Sequence, residues 1–112
     1  LIVPSLESMF YTAFRLIDWN RREGTKASAI PASDMAYFSA PKHQLAEGII
    51  HIDKVPTKHY LEPELRVLLK EAGLTVTSTE RAEYEWTSEF AEPPKWRKEP
   101  YPWDWLVECR RG

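Results

Sequence analysis

The stretch Lys58-His59-Tyr60 sets an imidazole and a phenol side by side in a chain of 112 residues that holds only three histidines. An imidazole with an unperturbed pKa of about 6.5 can take a proton near neutrality, and a neighbouring hydroxyl can orient the group that gives it up. His59 and Tyr60 are therefore candidates for general base and orienting hydroxyl toward an acceptor substrate. The same residues also read as a solvated turn whose tyrosine packs on a sheet. His43 and His51 are not an i, i+4 histidine pair, and the single cysteine, Cys109, rules out an internal disulfide and a cysteine-based zinc cluster. No metal site is expected. Ser5 and Ser8 lack the G-x-S-x-G elbow that exposes a hydrolase nucleophile. Cys109, among apolar neighbours, reads as buried and inert.

Tryptophan is the second chemical signal. Trp86, Trp96 and Trp103 bracket a link with four prolines between Pro93 and Pro102, too proline-rich for a helix or a central strand. Aromatic walls of this kind can hold an apolar or cationic ligand, which makes Trp86 and Trp103 candidate substrate-binding residues. They can equally cover a sheet edge, each burying about 150 to 250 Å². Pro100 and Pro102 impose an extended approach. With a period of two, Trp103 and Trp105 then share one side of the incoming strand and Asp104 turns to the other.

The elements that must position these groups follow from periodicity. Leu1 to Val3 is the continuous apolar run of a parallel strand covered on both faces, and its start without a methionine suggests a piece of something larger. Ser5 caps a helix with Glu7 in its first turn. Leu6, Met9, Phe10, Ala13, Phe14, Leu16 and Ile17 form its apolar stripe, to about Trp19. Residues 25–47 carry weak patterning, an insertion or lid with a short helix at 34–38 or 43–46. Gly48 to Asp53 reads as a short strand followed by a turn at Val55-Pro56. Pro63 opens a second helix with apolar Leu65, Leu68, Leu69 and Ala72, closed by Gly73. Leu74 to Tyr84 is a β-branched strand, residues 85–103 are the proline- and aromatic-rich link, and Trp105 to Cys109 is the last strand.

Read in order, Glu64 to Val76 resembles the helix-to-strand passage E-L-x-x-L-L-x-x-A-G-L-x-V of class I S-adenosylmethionine-dependent methyltransferases. LIVPSLES looks like their fifth strand and following turn, and WDWLVECRR is similar to their last strand, which runs antiparallel beside the sixth. The resemblance implies an α/β fold: the C-terminal part of a Rossmann-like sheet with two main helices and an antiparallel terminal strand. It also implies that the segment holding His59 and Tyr60 faces the methyl acceptor, a small molecule. One local departure is Leu61 or Tyr60 where Ser or Thr commonly caps the helix. A larger one concerns the cofactor. The family cradles S-adenosylmethionine on a Gly-rich turn, where backbone must approach without Cβ atoms, and this chain has only four glycines, none paired within five residues. No cofactor is expected to bind this chain alone.

Composition sets the bounds. One domain's length and 43% hydrophobic residues allow one core. The charge of −2, from 15 basic and 17 acidic side chains mixed along the chain, leaves no stripe for phosphates, so nucleic acid is not an expected partner. No apolar run approaches the roughly 20 residues of a bilayer-spanning helix, and a cytoplasmic chain is expected. The partners expected are the methyl acceptor and either a missing N-terminal half or a second copy. A rival reading is a stand-alone interaction module that binds a protein or peptide through a sheet edge and exposed tryptophans.

Overall fold

The computed structural model describes residues 1–24, 42–52, 54–86 and 100–112. The chain is mixed α/β, with two antiparallel sheets and three helices among the described residues. The elements are β1 (Ile2–Pro4), α1 (Leu6–Arg22), α2 (Lys42–Ala46), β2 (Ile49–Ile52), β3 (Val55–Lys58), α3 (Glu62–Glu71), β4 (Leu74–Glu83) and β5 (Trp103–Arg111).

The main sheet has the order β1-β5-β4, and β5 is antiparallel to both neighbours. It follows that β1 and β4 run parallel to each other with the reversed strand between them. The expectation of a first strand covered on both faces fails: its described strand partner is the antiparallel β5, and Ile2 is 63% exposed. β5 also begins earlier than its apolar centre suggested, at Trp103, because Trp103 pairs with Glu83 and extends the ladder two residues upstream of Trp105. Thr77 is the extra residue of a β-bulge between Val76 and Ser78, and its hydroxyl donates to the Glu108 carbonyl at 3.2 Å.

α1 starts where Pro4 ends the strand and Ser5 takes an extended conformation, its Oγ accepting from Ser8 N at 3.0 Å. The helix buries Leu6, Met9, Ala13 and Leu16, spacings of three and four, together with Ser8 and Thr12. Phe10 and Phe14, counted in the apolar stripe above, point outward instead and Phe14 is 59% exposed. They lie off the stripe by one residue, about 100° around the helix.

α2 matches the short helix expected at 43–46, and it buries none of its residues. The alternative at 34–38, most of the suggested lid and Trp96 lie outside the described residues. Val55-Pro56, expected as a turn, belongs to β3 and pairs with β2 through Ile52↔Val55 and His51↔Pro56. A proline without an N–H is tolerated there because a two-stranded sheet has only edge strands. Ile50 is fully buried and packs with Leu6 and Met9, which fixes the hairpin on the start of α1.

α3 has Leu61 at its N-cap, a residue with no side-chain acceptor. Its free amides are met by two glutamates: Glu64 Oε1 accepts from Leu61 N at 3.2 Å, and Glu7 Oε2, reaching from α1, accepts from Glu62 N at 2.9 Å. Of the expected apolar positions only Leu65 is buried; Leu69 is half-buried, and Leu68 and Ala72 are exposed. Leu65 packs with Trp103, Trp105 and Val107, three residues alternating along one face of β5. A second cluster joins Trp86 to Leu16, flanked by Tyr11, Ile17, Trp19 and Tyr101.

Candidate functional site

The ends of β1 and β4 meet the start of β5 at one edge of the main sheet. A cleft of about 30 Å³ lies at that place, lined by Ser5 from the end of β1, Met9 and Thr12 from α1, His59 beyond β3, Tyr84 beyond β4, and Trp103 with Asp104 from β5.

A ladder of hydroxyls holds the α1 wall to β5. Ser5 Oγ takes the Ser8 amide, Ser8 Oγ accepts from Trp103 N at 2.8 Å, and Thr12 Oγ1 donates to the Ser8 carbonyl at 2.9 Å. Tyr84 is held across the sheet by its amide, which donates to the Pro102 carbonyl at 3.0 Å. These contacts span the chain from residue 5 to residue 103, so the cleft exists only in the folded molecule.

His59 is buried in the wall. Its amide donates to the Gly48 carbonyl at 2.7 Å, and Nδ1 lies 3.1 Å from the Thr57 carbonyl. A carbonyl can only accept, so Nδ1 carries a proton, and in the neutral ring Nε2 is the acceptor nitrogen. Gly48 permits this approach: its φ is +80°, and a Cβ there would stand 2.5 Å from the His59 carbonyl oxygen.

The aromatic wall is one connected run. Tyr11 lies 5.9 Å from Trp86 and 6.0 Å from Trp103, and Trp103 meets Trp105 edge-on at 6.0 Å. The Arg81 guanidinium stands 4.1 Å from the Trp103 ring centre, a cation–π distance. The Trp103 indole N–H is sealed from solvent and has no acceptor among the described residues. Tyr11 Oη donates to the Pro100 carbonyl at 2.8 Å, and burial pushes its phenol above the ordinary value while Arg15 pulls it down more weakly.

Of the four residues singled out from sequence, His59 and Trp103 line the cleft. Tyr60 and Trp86 lie outside its lining. Tyr60 bridges in parallel to Ser5, with its amide on the Pro4 carbonyl and its carbonyl on the Leu6 amide, both at 2.9 Å, and its ring packs toward Leu65 and the tryptophans of β5. Trp86 is 0% exposed and belongs to the core with Leu16. Cys109, expected buried, is half-buried on β5. His51 Nε2 sits 2.7 Å from Gln44 Oε1, and no group of three metal-ligating side chains forms among the described residues.

Sequence reasoning did not find Met9, Thr12, Tyr84 or Asp104 as cleft residues. Thr12 carried a usable signal, since it is a polar residue at helical spacing from Ser5 and Ser8 on a buried face. Asp104 and Trp103 line the same cleft, although the period of two along β5 directs neighbouring side chains to opposite faces. No described helix is long and apolar enough to cross a membrane. Comparison with protein-family models, with curated proteins and with solved structures finds no match.

Proposed function

We propose that this chain is the C-terminal portion of a class I S-adenosylmethionine-dependent methyltransferase of the cytoplasm, in which it completes a Rossmann-like sheet and contributes the wall of the pocket for a small acceptor. One observation carries the reading: β1 and β4 run parallel with the closing strand β5 reversed between them, and the cleft opens at their carboxyl ends. The pairing of β5 with β4, from Leu74↔Arg111 to Glu83↔Trp103, agrees with the resemblance of WDWLVECRR to a last strand lying antiparallel beside the sixth. His59 and Trp103 stand in the wall where that reading expects acceptor-facing residues.

The residues present do not fit the methyl donor. Gly24 and Gly73 follow the ends of α1 and α3, and Gly48 is occupied by the approach of His59. None of them forms a paired Gly-rich turn that could bring backbone amides against a nucleotide. On this reading the donor's cradle belongs to a preceding half of the domain. Calorimetric titration of this chain with S-adenosylmethionine is expected to show no binding, while the coding sequence upstream is expected to encode a strand and Gly-rich turn. Tight binding by this chain would overturn the division of labour, and an upstream sequence without such a turn would overturn the family.

The second reading, an interaction module, draws on one feature. Leu1 and Val107 exchange backbone hydrogen bonds at 3.2 and 2.8 Å, so alternation directs the amide and carbonyl of Ile2 toward the opposite edge of β1. That edge invites a strand from a partner protein or a second copy. A chain that stays monomeric at high concentration yet captures an extended peptide on β1 would favour it.

A further inference from the structure

We propose that the second face of the main sheet, an apolar strip of Ile2, Pro4, Leu106 and Ala82 bordered by the carboxylates of Glu80 and Glu108, docks an amphipathic helix that carries lysine or arginine beside its apolar stripe. The helix is assigned to the preceding half of the domain, and for that source alone the inference rests on the proposed function. β5 is the middle strand, with a partner on each side, yet only one of its faces is covered. Trp103, Trp105 and Val107 are buried and pack with Leu65 of α3, whereas none of the alternate residues Asp104, Leu106, Glu108 and Arg110 is buried. The register carries this second face across all three strands: Ile2 and Glu80 lie on either side of Leu106, and Pro4 and Ala82 on either side of Asp104. Ile2, Glu80 and Glu108 are exposed. A sheet face with apolar residues is stable when another element lies on it.

Dimensions select a helix. The strip crosses three strands, about 10 Å at roughly 4.8 Å between neighbours. One helix, roughly 10 to 12 Å in diameter with its side chains, covers that width, while a second sheet would reach past the apolar residues onto charged ones. Charge selects the flanks of the helix. Glu80 is the direct neighbour of Leu106 on β4, and Glu108 follows Leu106 on the same face of β5. Arg110 stands beyond them, paired with Thr75 toward the end of the ladder, and Arg81 serves the other face, over the Trp103 ring. Asp104 is already engaged within the chain, and the docking asks nothing of it. The two exposed glutamates favour a basic flank over an acidic one. A second copy seated face to face would set glutamates against glutamates, and an anionic lipid surface would meet the same repulsion.

The test is an NMR titration of this chain with two helical peptides of about 18 residues, long enough to hold a helix in water. Both carry the same leucine stripe, flanked by lysine in one and by glutamate in the other. The lysine peptide is expected to give saturable shifts at the amides of Ile2, Ala82 and Leu106. It should bind at least about tenfold more tightly than the glutamate peptide, as two exposed ion pairs turned from attraction to repulsion allow. Changing Glu80→Lys and Glu108→Lys together is expected to reverse the preference. Equal binding of the two peptides, shifts centred on Phe10 and Phe14 instead, or a folded double variant that keeps the original preference would overturn the docking face. Should that variant unfold, the contrast between peptides on the unaltered chain decides alone. The source is tested on the completed domain, this chain joined to the half encoded upstream, where the helix already seated is expected to exclude the lysine peptide. A completed domain that binds S-adenosylmethionine yet still takes the peptide on this face overturns the assignment to the preceding half and spares the function. Peptide preference on this chain beside a completed domain that ignores S-adenosylmethionine sinks the function and spares the face.

Discussion

Glu7 shows how much one side chain can hold in a small α/β unit. Its two carboxylate oxygens accept from Glu62 N at 2.9 Å and Trp105 Nε1 at 3.2 Å, joining α1, the start of α3 and the core face of β5. Glu7→Ala strands two partly buried donors and is expected to cost about 2 to 6 kcal/mol in denaturant unfolding, at about 1 to 3 per unsatisfied group. Glu7→Gln keeps one acceptor oxygen and is expected to cost roughly half as much; equal losses would mean that the carboxylate is not a two-way tether. Tyr11 supplies a pH test. Burial raises its phenol pKa in the folded chain above the ordinary 10.0, so the folded state retains the proton longer than the unfolded state does. Its contribution is intact below pH 10 and is lost as pH rises from there through the raised folded value. Tyr11→Phe is expected to flatten that alkaline loss while costing about 0.5 to 1.5 kcal/mol at neutral pH for the missing bond to Pro100. Unfolding curves of both chains from pH 7 to 11 measure the two effects together.

Elements test the difference between a pattern and a contact. Helical spacing alone put Leu65 and Leu68 on one apolar stripe, yet Leu65 is 3% exposed and Leu68 is 43% exposed. Leu65→Ala is expected to cost about 2 to 5 kcal/mol; Leu68→Ala should stay within about 0.5 kcal/mol, and similar values for the two would contradict the packing of α3. Two glycines with positive φ make a parallel contrast. At Gly73 a Cβ meets nothing within 4 Å, so Gly73→Ala carries only the backbone penalty, about 1 to 2 kcal/mol. Gly48→Ala adds a collision with the His59 carbonyl and is expected to cost more and to move the His59 ring signals in NMR spectra. The existence of α1 and α3, the serine cap of α1, the glycine after α3 and the run of β4 were legible from residue type and spacing, because capping and periodicity are local properties. The strand role of Val55-Pro56 was not, because edge position excuses a proline and position in a sheet is not local.

At the scale of the whole molecule several large apolar side chains early in the chain stay exposed. Leu1, Ile2, Phe10 and Phe14 are all more than half exposed on β1 and α1. Sedimentation of this chain is expected to show concentration-dependent self-association, reduced by the double change Phe10→Ser and Phe14→Ser if these rings form the contact; a monomer at all concentrations would argue that the face needs no cover. The sequence by itself determined the order of α1, α3, β4 and the last strand, the placing of Trp103 and Trp105 on one face, and the lack of closely spaced glycines, since each depends on neighbours a few residues away. Tertiary structure alone decided that β5 lies between β1 and β4, that Glu7 caps a helix 55 residues distant, and that Thr12, His59, Tyr84 and Asp104 share one cleft. Those facts depend on long-range closure, whose free energy comes from the burial of α1 and α3 against β5 and has no signature in any short stretch of chain.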